Sequence, residues 1–161
     1  MAAAGYRVLA INFRGYGQSR GPGQADPLSA PLHLDVLAAV RFLREAGAKS
    51  VALIGGSMGG SAAADAAALA RPGEIDALII LGAGSGSEPP EKVAGRKLLI
   101  VAREDTSGAG PRLPRIRAQF DRMTEPKRLL VVDGSAHAQY LFETEHGGGL
   151  MKEILSFLAS R

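Results

Sequence analysis

Val51-Ala-Leu-Ile-Gly-Gly-Ser57-Met-Gly-Gly60 is the stretch whose reading decides the fold. Val51 to Ile54 are apolar throughout, the pattern of a buried strand. Gly55-x-Ser57-x-Gly59 follows at once, and the alanine-rich run from Ser61 to Ala70 then has the composition of a helix. A serine on so sharp a strand-to-helix turn holds a strained backbone, and its hydroxyl is pushed out over the sheet edge. Small residues must flank it, because a Cβ at Gly55 or Gly59 is expected to collide with neighbouring backbone. The helix points its free N–H groups at the same spot, where they can stabilise a developing oxyanion. Alone, G-x-S-x-G decides little in a chain with 21 glycines. A Gly-rich turn that packs an alanine helix on a sheet is spelled the same way, so the context has to decide.

Upstream, Arg7 to Phe13 (RVLAINF) reads as a strand. Arg14 to Pro31 is a long irregular segment rich in glycine and proline, of the kind that is functional or mobile in compact domains. Leu32, Val36, Ala39, Val40 and Leu43 have helical spacing, with Ser29 and Pro31 as start signals and Gly47 as the stop. Downstream, Pro72-Gly73 ends the alanine helix and Ala77 to Leu81 (ALIIL) is a buried strand. After the loop Gly82 to Gly95, Leu98 to Ala102 is a strand that runs into Arg103-Glu104-Asp105. Leu113, Ile116, Phe120 and Met123 mark one helix face; Leu129 to Val132 is a strand ending in Asp133-Gly-Ser-Ala-His137. Leu150, Ile154, Phe157 and Leu158 give a last amphipathic helix.

Strands that are apolar throughout and separated by helices indicate a parallel sheet covered on both faces. The expected fold is α/β: a mostly parallel five-stranded sheet with helices on both faces, in a single domain over residues 1–161. Ligands bind such sheets at the carboxyl ends of the strands. Ser57, Asp105 and His137 each lie just past the carboxyl end of a different strand.

Composition narrows the function classes. With 161 residues and 46% hydrophobic, the chain can bury a real core. It has no cysteine, which excludes disulfides, thiolate chemistry and cysteine-ligated zinc. The net charge of +3 comes from scattered arginines with few aromatics, so no nucleic-acid partner is expected. No apolar run reaches the roughly 18 residues of a membrane span. Met-Ala-Ala-Ala-Gly-Tyr-Arg lacks the charged and apolar regions of a signal peptide, and a soluble, cytoplasmic protein is expected. A phosphate-binding loop needs lysine after its last glycine, but Ser61 follows Gly60. Gly82-Ala-Gly84-Ser-Gly86-Ser misses the spacing of a dinucleotide fingerprint. With no acidic cluster or histidine pair, neither metal nor cofactor is expected.

A serine hydroxyl becomes a nucleophile when a base takes its proton, and a carboxylate on the far nitrogen of a histidine fixes the tautomer of that base. His137 is the candidate base, because His33 opens a helix and His146 precedes a Gly-rich turn. Asp105 and Glu104 compete for the acid, with Asp133 a distant third. The order Ser57, Asp105, His137 is that of α/β-hydrolases.

The chain resembles the α/β-hydrolase superfamily, in particular lidless serine hydrolases of the dienelactone-hydrolase and small-esterase kind. Ala3 to Ser19 (AAGYRVLAINFRGYGQS) is similar to the fourth strand of that family and its glycine-rich loop. Leu98 to Asp105 resembles the seventh strand with its acid, and Gly134 to His137 the histidine loop after the eighth. The short stretch between Leu81 and Lys97 leaves no room for a lid, so an open site for small esters is implied. The resemblance implies Ser57 as nucleophile, His137 as base, Asp105 as its orienting acid and Met58 N–H as oxyanion donor. The alternative is a catalytically impaired scaffold of this fold, or a fragment of a longer hydrolase.

The family has three strands before the one matched by Arg7 to Phe13. Its third strand lies between the fourth and the fifth and carries a second oxyanion N–H. A slot left empty there would bury unpaired backbone groups at about 1–3 kcal/mol each. Either Arg7 to Phe13 slides beside Val51 to Ile54, or another chain supplies a strand or covers the edge; sliding is expected, and it would lend a backbone N–H at Phe13 or Arg14 to the oxyanion. The exposed apolar edge that remains invites a homodimer.

Overall fold

The computed structural model describes residues 1–20 and 30–160. Ser29 and the glycines and prolines from Gly21 to Pro27 lie outside the described residues. Four helices, α1 (His33–Glu45), α2 (Met58–Leu69), α3 (Arg112–Arg122) and α4 (Gly147–Ala159), pack around a sheet of β1 (Ala52–Gly56), β2 (Ala77–Leu81), β3 (Arg96–Ala102) and β6 (Lys127–Val132). The order across this sheet is β1-β2-β3-β6, and every pairing is parallel. A small antiparallel pair, β4 (Thr106–Ser107) with β5 (Gly110–Pro111), stands apart. Among the described residues no helix is long and apolar enough to cross a membrane.

Burial on both faces explains why the strands lack polar alternation. Leu78, Ile80, Leu99 and Val101 point to a core shared with α1, α2 and α3. Their neighbours Ile79, Leu81, Leu98, Ile100 and Ala102 point to a second core closed by α4. Each Leu or Ile fully buried this way contributes about 1.5–3 kcal/mol, so β2 and β3 anchor the fold. Strand β3 starts earlier than its apolar run suggests. Lys97 is buried, and its ammonium donates to the Val93 carbonyl (3.0 Å) and the Thr124 hydroxyl (3.1 Å). Burial holds that ammonium below its ordinary value.

The sheet has four strands, not five. Arg7 to Phe13 forms no strand and pairs with no strand among the described residues, and the sliding expectation is overturned. Both ends of the segment are pinned. Arg14 grips Asp35 of α1 through its guanidinium (2.7 Å) and its backbone N–H (2.9 Å). Phe13 packs with Leu32, Val36 and Met58. Arg7 donates to the Ala46 carbonyl (3.1 Å), and Met1 rests on the α4 core. Burial works against the Asp35 charge, but the Arg14 contacts outweigh it and hold the carboxyl below its ordinary value. The slot between the segment and β1 survives because its walls stay wet. Val8 is 57% and Ile54 45% exposed, so this edge faces solvent rather than burying its unpaired backbone groups.

Candidate active site

Strand β1 delivers Ser57 at φ 51°, ψ −120°, a conformation that costs a non-glycine residue about 1–3 kcal/mol. The surroundings impose it. Ser57 N–H donates to the Leu81 carbonyl (2.9 Å), and the Ser57 carbonyl accepts from Gly60 (3.0 Å) and Ser61 (3.1 Å). A Cβ on Gly55 would overlap the Gly59 carbonyl, and one on Gly60 would sit 2.9 Å from the Ile80 methyl. At Gly59, by contrast, it would meet only the Phe13 ring at 3.8 Å. The second obligatory glycine is therefore Gly60, not Gly59, because α2 turns the Gly59 side away from the strand.

His137 follows β6 and is aimed by two residues that its sequence context did not reveal. Ala138, fully buried, holds φ 51°, and Gly82 leaves the space in which the imidazole lies. A Cβ at Gly82 would be 2.8 Å from His137 Nδ1. The ring bridges the two other candidates: Nε2 lies 2.9 Å from Ser57 Oγ, and Nδ1 lies 2.7 Å from Asp105 Oδ2. A carboxylate only accepts, so Nδ1 carries the proton and Nε2 is left to accept from the Ser57 hydroxyl.

Among the competing acids, only Asp105 reaches the histidine. It is 1% exposed, whereas Glu104 is exposed and Asp133 is drawn into a surface pair with Arg103 (3.0 Å). His33 lies in α1 and His146 precedes α4, and neither takes part. The Met58 N–H opens α2 beside Ser57 and has no intramolecular acceptor among the described residues, so it is free for an oxyanion. The Arg14 N–H is not, since Asp35 occupies it. Tyr16, in the glycine-rich loop, sends its hydroxyl toward Met58 Sδ (4.0 Å) and brings that loop against the turn. Among the described residues no three His, Cys, Asp or Glu side chains gather as a metal site would require.

Sequence reading also missed Arg112. The β4–β5 pair turns the chain back so that Arg112 N–H donates to the Asp105 carbonyl (2.9 Å) and Nε sits 3.2 Å from Asp105 Oδ1. Neither Nε nor Oδ1 makes a well-directed hydrogen bond, so the pair is held by charge. The arrangement fixes the carboxylate rotamer that serves His137. Arg112→Met is expected to lower kcat about tenfold to 10²-fold with KM unchanged, the scale of a displacement near 1 Å in the reacting groups. Steady-state kinetics check it, and Arg112→Lys restores part of the loss.

A serine–histidine–aspartate relay at the carboxyl edge of a parallel sheet, half-buried at Ser57 and His137 and buried at Asp105, can move a proton from a nucleophile and hold the resulting cation. Comparison with known proteins agrees with this architecture. The family model described as the alpha/beta hydrolase fold matches residues 1–114. A 2-hydroxy-6-oxononadienedioate/2-hydroxy-6-oxononatrienedioate hydrolase from Dechloromonas aromatica is 35% identical over 150 residues, 89% of this chain and 45% of its own length. A second such hydrolase, from Pseudomonas putida, is 30% identical over 89% of this chain and 46% of its own. The chain thus spans about half the length of the curated relatives it matches. Among solved structures, a Pyrococcus furiosus esterase superimposes with a TM-score of 0.70 at 18% identity, over 98% of this chain and 72% of that one. A dienelactone hydrolase from Anabaena variabilis gives 0.60 at 25% identity, over 78% and 56%.

Proposed function

Because this chain belongs to the alpha/beta hydrolase fold family, we propose that it is a serine hydrolase that cleaves small carboxylic esters through an acyl-enzyme on Ser57. The observation that carries the proposal is the continuous relay from Ser57 through His137 to buried Asp105, at 2.9 and 2.7 Å. In the proposed reaction Ser57 Oγ attacks the ester carbonyl carbon as its proton passes to His137 Nε2. Met58 N–H receives the oxyanion. His137 returns the proton to the leaving alkoxide, and water, deprotonated by the same nitrogen, then releases the acid and regenerates the serine. With one backbone donor at the oxyanion, turnover stands about 10²–10³-fold below that of a site with two.

A fluorophosphonate probe tests the proposal. The protein labels at Ser57 and Ser57→Ala does not. Equal labelling of both, or of neither, removes the enzymatic reading and leaves a scaffold without turnover. A second reading comes from the D. aromatica and P. putida relatives, whose printed substrate is a ketone dicarboxylate without an ester. The same relay would there act on a carbonyl flanked by carbon. Parallel assays with p-nitrophenyl acetate and with 2-hydroxy-6-oxononadienedioate separate the two.

A further inference from the structure

Met58 brings a thioether as well as a backbone N–H to the Ser57 turn. Its side chain is half-buried against Phe13, Leu32 and Val36, and Sδ faces the hydroxyl of Tyr16. The loop that carries Tyr16 is tied to itself. Tyr16 N–H donates to the Phe13 carbonyl (2.9 Å), Ser19 N–H to the Tyr16 carbonyl (2.9 Å) and Gly15 N–H to the Ser19 carbonyl (2.8 Å). The Asn12 carboxamide fills the loop, since its Nδ2 would sit 2.6 Å from a Cβ at Gly17. Arg14 fastens the same loop to Asp35. A fixed piece of backbone thus aims the Tyr16 hydroxyl at Sδ, and the two stand 4.0 Å apart. That is long for a hydrogen bond, and a thioether is a weak acceptor. The gap fits one interposed oxygen atom. A sulfur–oxygen bond followed by an O–H···O hydrogen bond of about 2.7 Å, bent at the oxygen, covers the same span.

We propose that Met58 is an oxidation site, converted to its sulfoxide by hydrogen peroxide or an organic hydroperoxide, and that Tyr16 latches the new oxygen and so switches the active site off. A lone pair on Sδ attacks the hydroxyl oxygen of the peroxide. The S–O bond forms as the O–O bond breaks, and the departing hydroxide or alkoxide takes the proton from the new S–OH group, leaving as water or alcohol. Sulfur gives up an electron pair and the peroxide takes it.

The chain has no cysteine, so its methionine thioethers are the groups such an oxidant converts first. Of the four methionines, Met123 is 3% exposed. Met1 belongs to the α4 core and Met151 to α4 itself, across the sheet from α2. Met58 is the one that adjoins the nucleophile. Its latched oxygen draws the side chain and the Tyr16 loop together over the turn, at the residue whose N–H receives the oxyanion, and acylation of Ser57 slows. This last consequence rests on the hydrolase reading, whereas oxidation and latching do not.

The 161-residue protein is treated with hydrogen peroxide and followed by peptide mass mapping and by fluorophosphonate labelling. Met58 gains one oxygen while Met123 does not. Labelling falls about tenfold to 10²-fold in step with that conversion, the scale of a displacement near 1 Å at the reacting groups. Methionine sulfoxide reductases of both epimer specificities, supplied with a dithiol, restore the thioether and the labelling. Met58→Leu, compared with its own untreated sample, keeps its labelling through the same treatment. Met151→Leu loses labelling as the parent protein does. Tyr16→Phe is oxidised at Met58 but loses much less of its labelling, and the reductases repair it faster than the latched parent. Met58 left reduced when Met151 is fully converted overturns the site. A loss that follows Met1 or Met151, or that is equal in Met58→Leu, overturns the switch. Equal loss and equal repair in Tyr16→Phe and the parent overturn the latch. Labelling absent before any peroxide counts against the hydrolase reading alone, and mass mapping with the repair rates then still decides the site and the latch.

Discussion

Asp105→Asn lowers kcat by about 10⁴-fold while the fold persists. An amide can turn its NH₂ toward His137 Nδ1, and the ring must then accept there and carry its proton on Nε2. That proton faces Ser57 Oγ at 2.9 Å, so the base is occupied before the reaction begins. The same change removes the negative partner of Arg112, whose Nε lies 3.2 Å from the carboxylate. Hydrolysis of p-nitrophenyl acetate gives the rate, and circular dichroism reports whether the fold is retained. Glu104→Gln leaves kcat unchanged, since Glu104 is exposed and the carboxylate at His137 is that of Asp105. The opposite ranking of these two substitutions would transfer the acid role to Glu104.

Gly55→Ala has the largest expected effect on stability. The new Cβ overlaps the Gly59 carbonyl and crowds Gly60 Cα, both backbone atoms of the turn. Relief requires moving β1 off β2 or α2 off the sheet, and overpacking on this scale costs about 3 kcal/mol or more. For a chain of this size that lowers Tm by about 6–12 °C. Gly59→Ala is the control. Its Cβ finds only the Phe13 ring at 3.8 Å, and alanine is the better helix former, so Tm holds or rises slightly. Thermal melts of the two variants side by side check the pair. A larger loss at Gly59 would mean that the close approach in the turn has been assigned to the wrong glycine.

Much of this architecture was legible in the sequence where local pattern and burial coincide. Ala77 to Leu81 is buried at every position and emerged with its boundaries intact. The Ser57 turn, Asp105 and His137 were legible because three strands end just before them. Boundaries slipped where charge hid burial: the strand read from Leu98 to Ala102 left out Arg96 and Lys97, yet Lys97 is inside, its ammonium satisfied by Val93 and Thr124. The apolar run Arg7 to Phe13 misled for a different reason. Strand character is completed by a neighbour, and nothing within RVLAINF reports whether one is present. Arg112 and Ala138 could not be read locally either. One depends on a two-residue pairing that returns the chain over Asp105, and the other on a left-handed φ that alanine does not advertise. Glycine at position 138 would have been the legible signal, and it is not there.

The strand order has a mechanical consequence for the relay. Ser57 hangs from β1 and His137 from β6, the two outermost strands of the four, while Asp105 hangs from β3. The chain after β6 therefore carries His137 back across the strand ends, over Gly82 at the end of β2, before Nε2 meets Oγ. Successive strands are rotated by roughly 20–25°, so the separation of these two atoms depends on the accumulated twist. Side chains such as Ile79 and Ile100, buried against α4 and away from the relay, help to set that twist. A change of volume there is expected to alter the length of the Ser57–His137 bond without touching either residue. The proton-transfer distance is thus expected to respond to the packing of the sheet as well as to the residues that touch the relay.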